Sequence, residues 1–222
     1  MPSPYKYILM CGGSYKQWAF PRHLTRIHGE TLILRTLRLL RECGVSDAAV
    51  STNNTVIEEY CRSLGIPVIW CPDNAWVVHE PGVSTGSWCD CFALPEKSDV
   101  CYLMGDVVFS PEAIRIIVGT ETEDIEFFAS APPFAPEYSK SYAEPFAFKV
   151  HDNELLKRAI RTTRKYHKLS WFTRPPLAWE FWQVVRGTAL NRIEYNYTVI
   201  NDYTCDIDEP EDIHKFEEVI HD

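Results

Sequence analysis

The apolar positions of the first half of the chain switch repeatedly between short continuous runs and helical spacing. Residues 5–11 form an apolar run closed by Gly12 and Gly13, the pattern of a buried strand. Residues 31–43 put Ile33, Leu37 and Leu40 on one face and Arg35, Arg38 and Arg41 elsewhere, which predicts an amphipathic helix ended by Gly44. A strand over 48–51, a helix over 55–64 and a strand over 68–70 come next. Thr55 and Glu58 are spaced as a capping box, and Gly65 closes the helix. The 71–87 segment, rich in Pro, Gly and Ser, reads as a loop, and 88–94 as helical. Residues 100–104 are a strongly apolar strand, and Ser110-Pro111-Glu112 opens a helix with a capping hydroxyl and proline in the first turn. In the second half, 125–131, 142–150 and 192–200 read as strands, and 153–164, 177–186 and 210–220 as helices. The 165–176 stretch, with Pro175 and Pro176, reads as a loop.

Strands alternating with helices predict βαβ units, hence an α/β chain with a three-layer α/β/α, Rossmann-like architecture and a mixed, mainly parallel sheet. No internal repeat or low-complexity tract divides it, so one domain over 1–222 is expected.

The net charge of −9 argues against bulk nucleic-acid or anionic-membrane binding, because no excess of Lys or Arg is available to neutralise phosphates. A small phosphorylated ligand, which needs only a few donors, is compatible with it. No apolar run is long enough to span a bilayer. The first residues lack a secretory pattern, so a reduced, cytoplasmic setting is expected. Of the 8 cysteines, Cys11, Cys43, Cys61 and Cys101 sit in apolar segments and read as small buried hydrophobes, while Cys89 and Cys91 form a CxC without a second pair at metal spacing. The 7 histidines show no HxxxH spacing, and His23 reads as a loop residue.

Chemistry is concentrated at two strand ends and near the C-terminus. Met10-Cys11-Gly12-Gly13-Ser14 ends the first strand, where glycines let successive backbone N–H groups approach an anion; a plain tight turn is the other reading. Gly105-Asp106 ends the 100–104 strand at the same edge, where ligands of open α/β sheets bind. Cys205-Asp206-Ile207-Asp208-Glu209-Pro210 brings further acids. Asp206 and Asp208 would share a strand face, and Glu211 and Asp212 suit the positive end of the last helix.

These segments together resemble the signature of the sugar-nucleotide pyrophosphorylase and cytidylyltransferase superfamily, which includes the MobA-like NTP transferases and has a GT-A-type fold. Gly12 and Gly13 fall on the family's loop glycines and Lys16 near its arginine. Pro21-Arg22 and Leu24 fall on its Pro-Lys-x-Leu element, and the 29–33 segment on the opening of its first long helix. Asp106 matches its Gly-Asp aspartate, and Asp208 its Asp-x-Pro-Glu-Asp-Leu close. The resemblance implies a nucleotidyltransferase that joins the NMP of a CTP- or UTP-like triphosphate to a phosphorylated small molecule such as a sugar phosphate, releasing pyrophosphate. It implies Mg²⁺ held by Asp106 and Asp208, with Lys16 and Arg22 on phosphate, each an Arg/Lys exchange relative to the pattern. Met10, Cys11, Gly12, Gly13, Ser14, Gly86 and Ser87 would then contact the nucleotide, with Ser87 equally readable as a helix cap. Glu144, Lys149 and Arg174 are candidates for the acceptor, and Trp179 and Trp182, three apart on one helix, read as core. Residues 1–120 would form the nucleotide-binding half and 121–222 the acceptor-binding half; a homodimer is compatible with this. The alternatives are a metal-dependent GT-A glycosyltransferase, although no second acid completes a DxD at Asp106, or a catalytically weakened nucleotide-binding regulatory relative.

Overall fold

The computed structural model describes residues 4–12, 18–71, 88–93, 99–130, 143–172, 175–190, 194 and 196–220. In chain order it builds β1 (Lys6–Met10), β2 (Arg26–Ile27), β3 (Glu30–Thr31), α1 (Leu32–Glu42), β4 (Ala48–Thr52), α2 (Thr55–Ser63) and β5 (Val68–Trp70). Then come β6 (Val100–Met104), β7 (Val107–Val108), α3 (Pro111–Gly119), β8 (Ile125–Ser130), β9 (Pro145–Val150), α4 (Asn153–Lys168) and α5 (Ala178–Arg186). The chain ends with β10 (Thr198–Ile200), β11 (Cys205–Asp206) and α6 (Asp212–Val219).

A 7-stranded sheet runs in the order β10-β8-β9-β6-β1-β4-β5. β1 pairs in parallel with β4 and β6, and β9 alone runs antiparallel, to both β6 and β8. The expected mixed, mainly parallel α/β sheet flanked by helices is therefore the observed one. Strands β1 and β6 are almost wholly buried, which is why they read as continuous apolar runs rather than alternating ones.

Helix starts are set by local side chains. Thr31 Oγ1 accepts from Leu34 N–H at 3.3 Å, Ser110 Oγ from Ala113 N–H at 2.8 Å and Asp152 Oδ1 from Leu155 N–H at 2.8 Å. At α2 the cap is Asn54, whose Oδ1 accepts from Val56 and Ile57. Glu58 instead pairs with Arg62 one turn on, at 2.7 Å, so the expected Thr55–Glu58 box is not formed. Helix α4 continues through Lys168 into the expected loop, and β10 keeps only the last three residues of the expected 192–200 strand. The expected 88–94 helix is a 3₁₀ turn over Trp88–Cys91.

The main core is aromatic. Phe127 stacks on Phe148 at 4.5 Å between ring centroids, and Trp179 meets Phe127 edge-on at 5.1 Å. Trp179 Nε1 donates to Ala143 O and Trp182 Nε1 to Asn196 Oδ1, both at 2.9 Å, so both indoles are satisfied core groups as their spacing predicts. A second cluster of Trp18, Ile27, Leu32, Val108, Cys205, Ile207, Phe216 and Ile220 fastens the 18–32 segment to the last 20 residues of the chain. The β2–β3 hairpin and the β7–β11 ladder border this cluster; no periodic pattern announces such two-residue strands. Among the described residues, no helix is long and apolar enough to cross a membrane.

Gly105 sits where β6 passes the end of β1. Its N–H donates to Met10 O at 3.0 Å, and a Cβ there would stand 2.5 Å from both Met10 O and Cys11 Sγ. Backbone cannot yield as a flexible side chain would. Gly105→Ala is expected to lower stability by about 1–3 kcal/mol, read as a lower urea midpoint at unchanged m-value; an unchanged midpoint would show that the β1–β6 edge relaxes freely.

Candidate active site

The chain leaves β1 toward β4 and β5, and returns to place β6 on the other flank of β1, from which it continues away. The strand order thus reverses between β1 and β6, and the crevice outside their carboxyl ends is the position at which ligands bind such sheets. Cys11 and Gly12 follow β1, and Gly105 and Asp106 follow β6. The chain just past β1 is anchored on β4: Cys11 N–H donates to Ser51 O at 2.8 Å, and Thr52 Oγ1 donates to Cys11 O at 2.6 Å. Burial holds the Cys11 thiol well above its ordinary pKa, so it remains a neutral thiol.

Three distant segments meet at this edge. A 3₁₀ turn over Arg22–Leu24 is closed by Leu24 N–H to Pro21 O and Thr25 N–H to Arg22 O, each 2.9 Å, and it buries Arg22 and His23. The β7–β11 ladder sets Asp206 opposite Val107 and lets Ile207 N–H donate to Asp106 O at 2.9 Å. Asp208 lies beyond that ladder, so strand alternation does not aim it. Its backbone is held by Trp18 Nε1, which donates to Asp208 O at 2.8 Å, and by Asp212 Oδ2, which accepts from Asp208 N–H and Glu209 N–H.

Arg22 joins the pieces. One terminal nitrogen donates to the Asp106 carboxylate; the other donates to Ile207 O at 2.9 Å and Asp208 Oδ1 at 3.2 Å. The guanidinium side chain is 5% exposed, Asp106 is 19% and Asp208 33%, so the cation lies inside and the acids open outward. A planar fork with two arms is suited to spanning two carboxylates, as a single ammonium is not. Among the described residues no group of three or more His, Cys, Asp or Glu gathers as a metal cluster. The donor set here is two carboxylates, which suits a hard cation completed by water and substrate phosphates.

His23, read from sequence as a loop residue, is buried beside this pair, and its Nδ1 has no hydrogen-bond partner among the described residues. Burial, reinforced by the Arg22 charge and opposed by Asp106, pushes its pKa down to about 4. Its imidazole is neutral at pH 7.

Of the remaining site candidates, Met10 is buried and Gly12 half-buried at the β1 end. Glu144 is buried at the start of β9; with Ala147 opposite Leu103, it lies at the same sheet edge as Asp106. Gly13, Ser14, Lys16, Gly86, Ser87 and Arg174 lie outside the described residues. Lys149 requires a correction. It pairs with Cys101 near the opposite end of β6, roughly 15 Å along the strand direction from Asp106. Its ammonium is buried and donates to Ile117 O, Val118 O and Thr120 O at 3.0, 2.9 and 2.5 Å. All three protons close the C-terminal end of α3, and burial lowers the pKa, so the residue belongs to the scaffold and not to an acceptor pocket. Trp18 and His23 lie beside the Arg22 pair, and the linear sequence gives little sign of either: Trp18 sits in an apolar Trp-Ala-Phe-Pro stretch, and only adjacency to Arg22 points to His23.

The His23 shift gives a pH prediction. A histidine at about 4 folded and near 6.5 unfolded favours the fold fully above pH 6.5 and loses that contribution as pH falls toward 4. The loss is about 3 kcal/mol, and chemical denaturation of wild type and His23→Phe across pH 4–7 should show a flatter acid limb in the variant. Parallel limbs would mean that His23 does not titrate in this range.

The MobA-like NTP transferase domain model matches residues 7–174. No curated protein matches the chain at a significant level. Among solved structures, the chain is similar to the inositol-1-phosphate CTP transferase from T. maritima, at 16% identity and TM-score 0.63, covering 98% of this chain and 95% of that one. It is similar to a putative glucose-1-phosphate thymidylyltransferase from Bacillus anthracis, at 14% identity and TM-score 0.64, covering 98% and 96%. It is also similar to the CTP:phosphocholine cytidylyltransferase from Streptococcus pneumoniae, at 13% identity and TM-score 0.53, covering 97% and 99%. At these identities the solved structures speak to the fold alone; the family match, over most of the chain, says more. This chain, with Asp106 at the switch point of the sheet, belongs to the MobA-like NTP transferase family and is a nucleotidyltransferase.

Proposed function

We propose that the protein transfers the NMP group of a CTP- or UTP-like triphosphate to a phosphorylated small molecule such as a sugar phosphate, releasing pyrophosphate. The observation that carries this reading is the convergence of Arg22, Asp106 and Asp208 at the carboxyl edge of β1 and β6, beside Gly12. A CTP transferase and a cytidylyltransferase are among the structurally similar proteins, which makes a pyrimidine triphosphate and a phosphorylated acceptor the first pair to test.

Asp106 and Asp208 would hold Mg²⁺, which when bound neutralises the α- and β-phosphates and polarises the α-phosphorus. The backbone of Gly12, Gly13 and Ser14 would cradle the phosphates, with Lys16 and Arg22 as their cations. Gly86 and Ser87 would face the base, and Glu144 and Arg174 the acceptor. An oxygen of the acceptor phosphate forms the new bond to the α-phosphorus. The bond from that phosphorus to the α–β bridging oxygen breaks, and pyrophosphate leaves with the electron pair. The nucleophile is already anionic, so positioning and charge stabilisation suffice and no general base is required.

A matrix of the four NTPs against phosphorylated sugars, polyols and amino alcohols, with pyrophosphate detection, tests the reading. Product is expected with a pyrimidine triphosphate. Asp106→Asn should stay folded, with a melting temperature lowered by the loss of one partner of the buried Arg22, and should lose turnover by about 10³-fold or more, the scale of several kcal/mol of charge stabilisation. Near-normal turnover would remove Asp106 from the mechanism. A triphosphate that raises the melting temperature while no acceptor yields product would favour a regulatory relative. Sugar transfer from a nucleotide sugar would favour a glycosyltransferase.

A further inference from the structure

Two carboxylates that converge at a partly shielded edge repel one another, and in this fold something must offset them before any ligand arrives. Arg22 does so. Its terminal nitrogens reach Asp106 and Asp208 at once, and the second of them is also tied to Ile207 O at 2.9 Å. The cation is the most buried member of the trio, whereas both acids have an exposed side. It is held there by a turn closed by its own hydrogen bonds, and nearby Trp18 donates to Asp208 O, which ties this segment to the last part of the chain.

We propose that Arg22 is the resident cation of the free site, and that a divalent ion does not load on the free protein but enters with the triphosphate, whose phosphates take Arg22 in exchange. This rests on the reading of Asp106 and Asp208 as the pair that holds the ion. A hard divalent cation binds carboxylate oxygens directly and demands near-octahedral geometry. Arg22 takes one carboxylate oxygen from each acid, Asp106 Oδ2 and Asp208 Oδ1, so a directly bound ion would have to compete with it for both. A positive guanidinium and a divalent ion side by side would also repel, in a site too shielded for solvent to screen them fully. A polyphosphate resolves both conflicts. It offers Arg22 an anionic fork partner in place of the carboxylates, and it brings the ion already partly neutralised. The exchange suits arginine in particular, since its two arms span both acids in one state and can grip phosphate in the other.

The test uses Mn²⁺ alone as probe, with the intact chain at pH 8 and no nucleotide, read by electron paramagnetic resonance of free Mn²⁺. Wild type should bind weakly, and Arg22→Met at least tenfold more tightly, with the gain abolished by adding Asp106→Asn. Arg22→Gln, which is shorter, keeps a hydrogen-bond donor but not the charge; it should show the same gain, and it secures the result if the methionine variant does not fold. Thermal melts give a second readout: Mn²⁺ should raise the melting temperature of the variants more than that of wild type. Equal or weaker Mn²⁺ binding in the folded variants overturns the exchange. The measurement is separable from the pyrophosphate assay. A tenfold gain upholds the exchange even where the nucleotide matrix yields nothing, and an unchanged affinity overturns it even where product forms.

Discussion

The buried guanidinium of Arg22, shared between Asp106 and Asp208, is the interaction on which the site depends. A buried charge is tolerated only when paired and hydrogen-bonded, and two acids so placed need a positive partner. Arg22, the buried member, is therefore costly without its acids, whereas the acids keep an exposed side. That dependence ties a turn near residue 22, the end of a central strand and the approach to the last helix into one unit.

The scaffold around this trio consists of close approaches that leave little freedom. Gly105 has no room for a side chain against β1, Cys11 is hydrogen-bonded to β4 on both backbone groups, and the Trp18–Phe216 cluster presses the final segment onto the 18–32 region. The same packing that excludes water from Arg22 also excludes it from His23 and keeps that imidazole neutral. Fold stability and site electrostatics thus share residues, as expected of a site built where several chain segments cross. Near the opposite end of the sheet Lys149 serves the scaffold: its three protons go to the end of α3.

Family membership and this geometry constrain one another. The MobA-like NTP transferase match establishes nucleotidyl transfer as the chemistry, and a CTP transferase, a thymidylyltransferase and a cytidylyltransferase share the fold. At position 22 the chain carries an arginine where the pattern it resembles has a lysine. A lysine offers a point charge to one partner at a time, and an arginine can bridge two acids.

The fold class and the strand ends that face the crevice were legible in the linear chain, because they depend on local rules, while Asp106 and Asp208 were named as candidate acids by the family resemblance. Buried parallel strands read as apolar runs, helix starts carry capping side chains, and glycine and aspartate mark strand ends that face a crevice. The β7–β11 ladder, the burial of His23 and the scaffold role of Lys149 could not be read that way. Two-residue strands have no period, and a lysine on a strand looks the same whether its stem points to solvent or to the end of a neighbouring helix. Nor does any spacing tell that Arg22 reaches both Asp106 and Asp208. That contact is set by long-range register, which places the last segment beside β7, and by Trp18, which closes the 18–24 segment over it. Sequence determined which groups could do the chemistry; the packing of distant segments decided which of them meet, and in what charge environment.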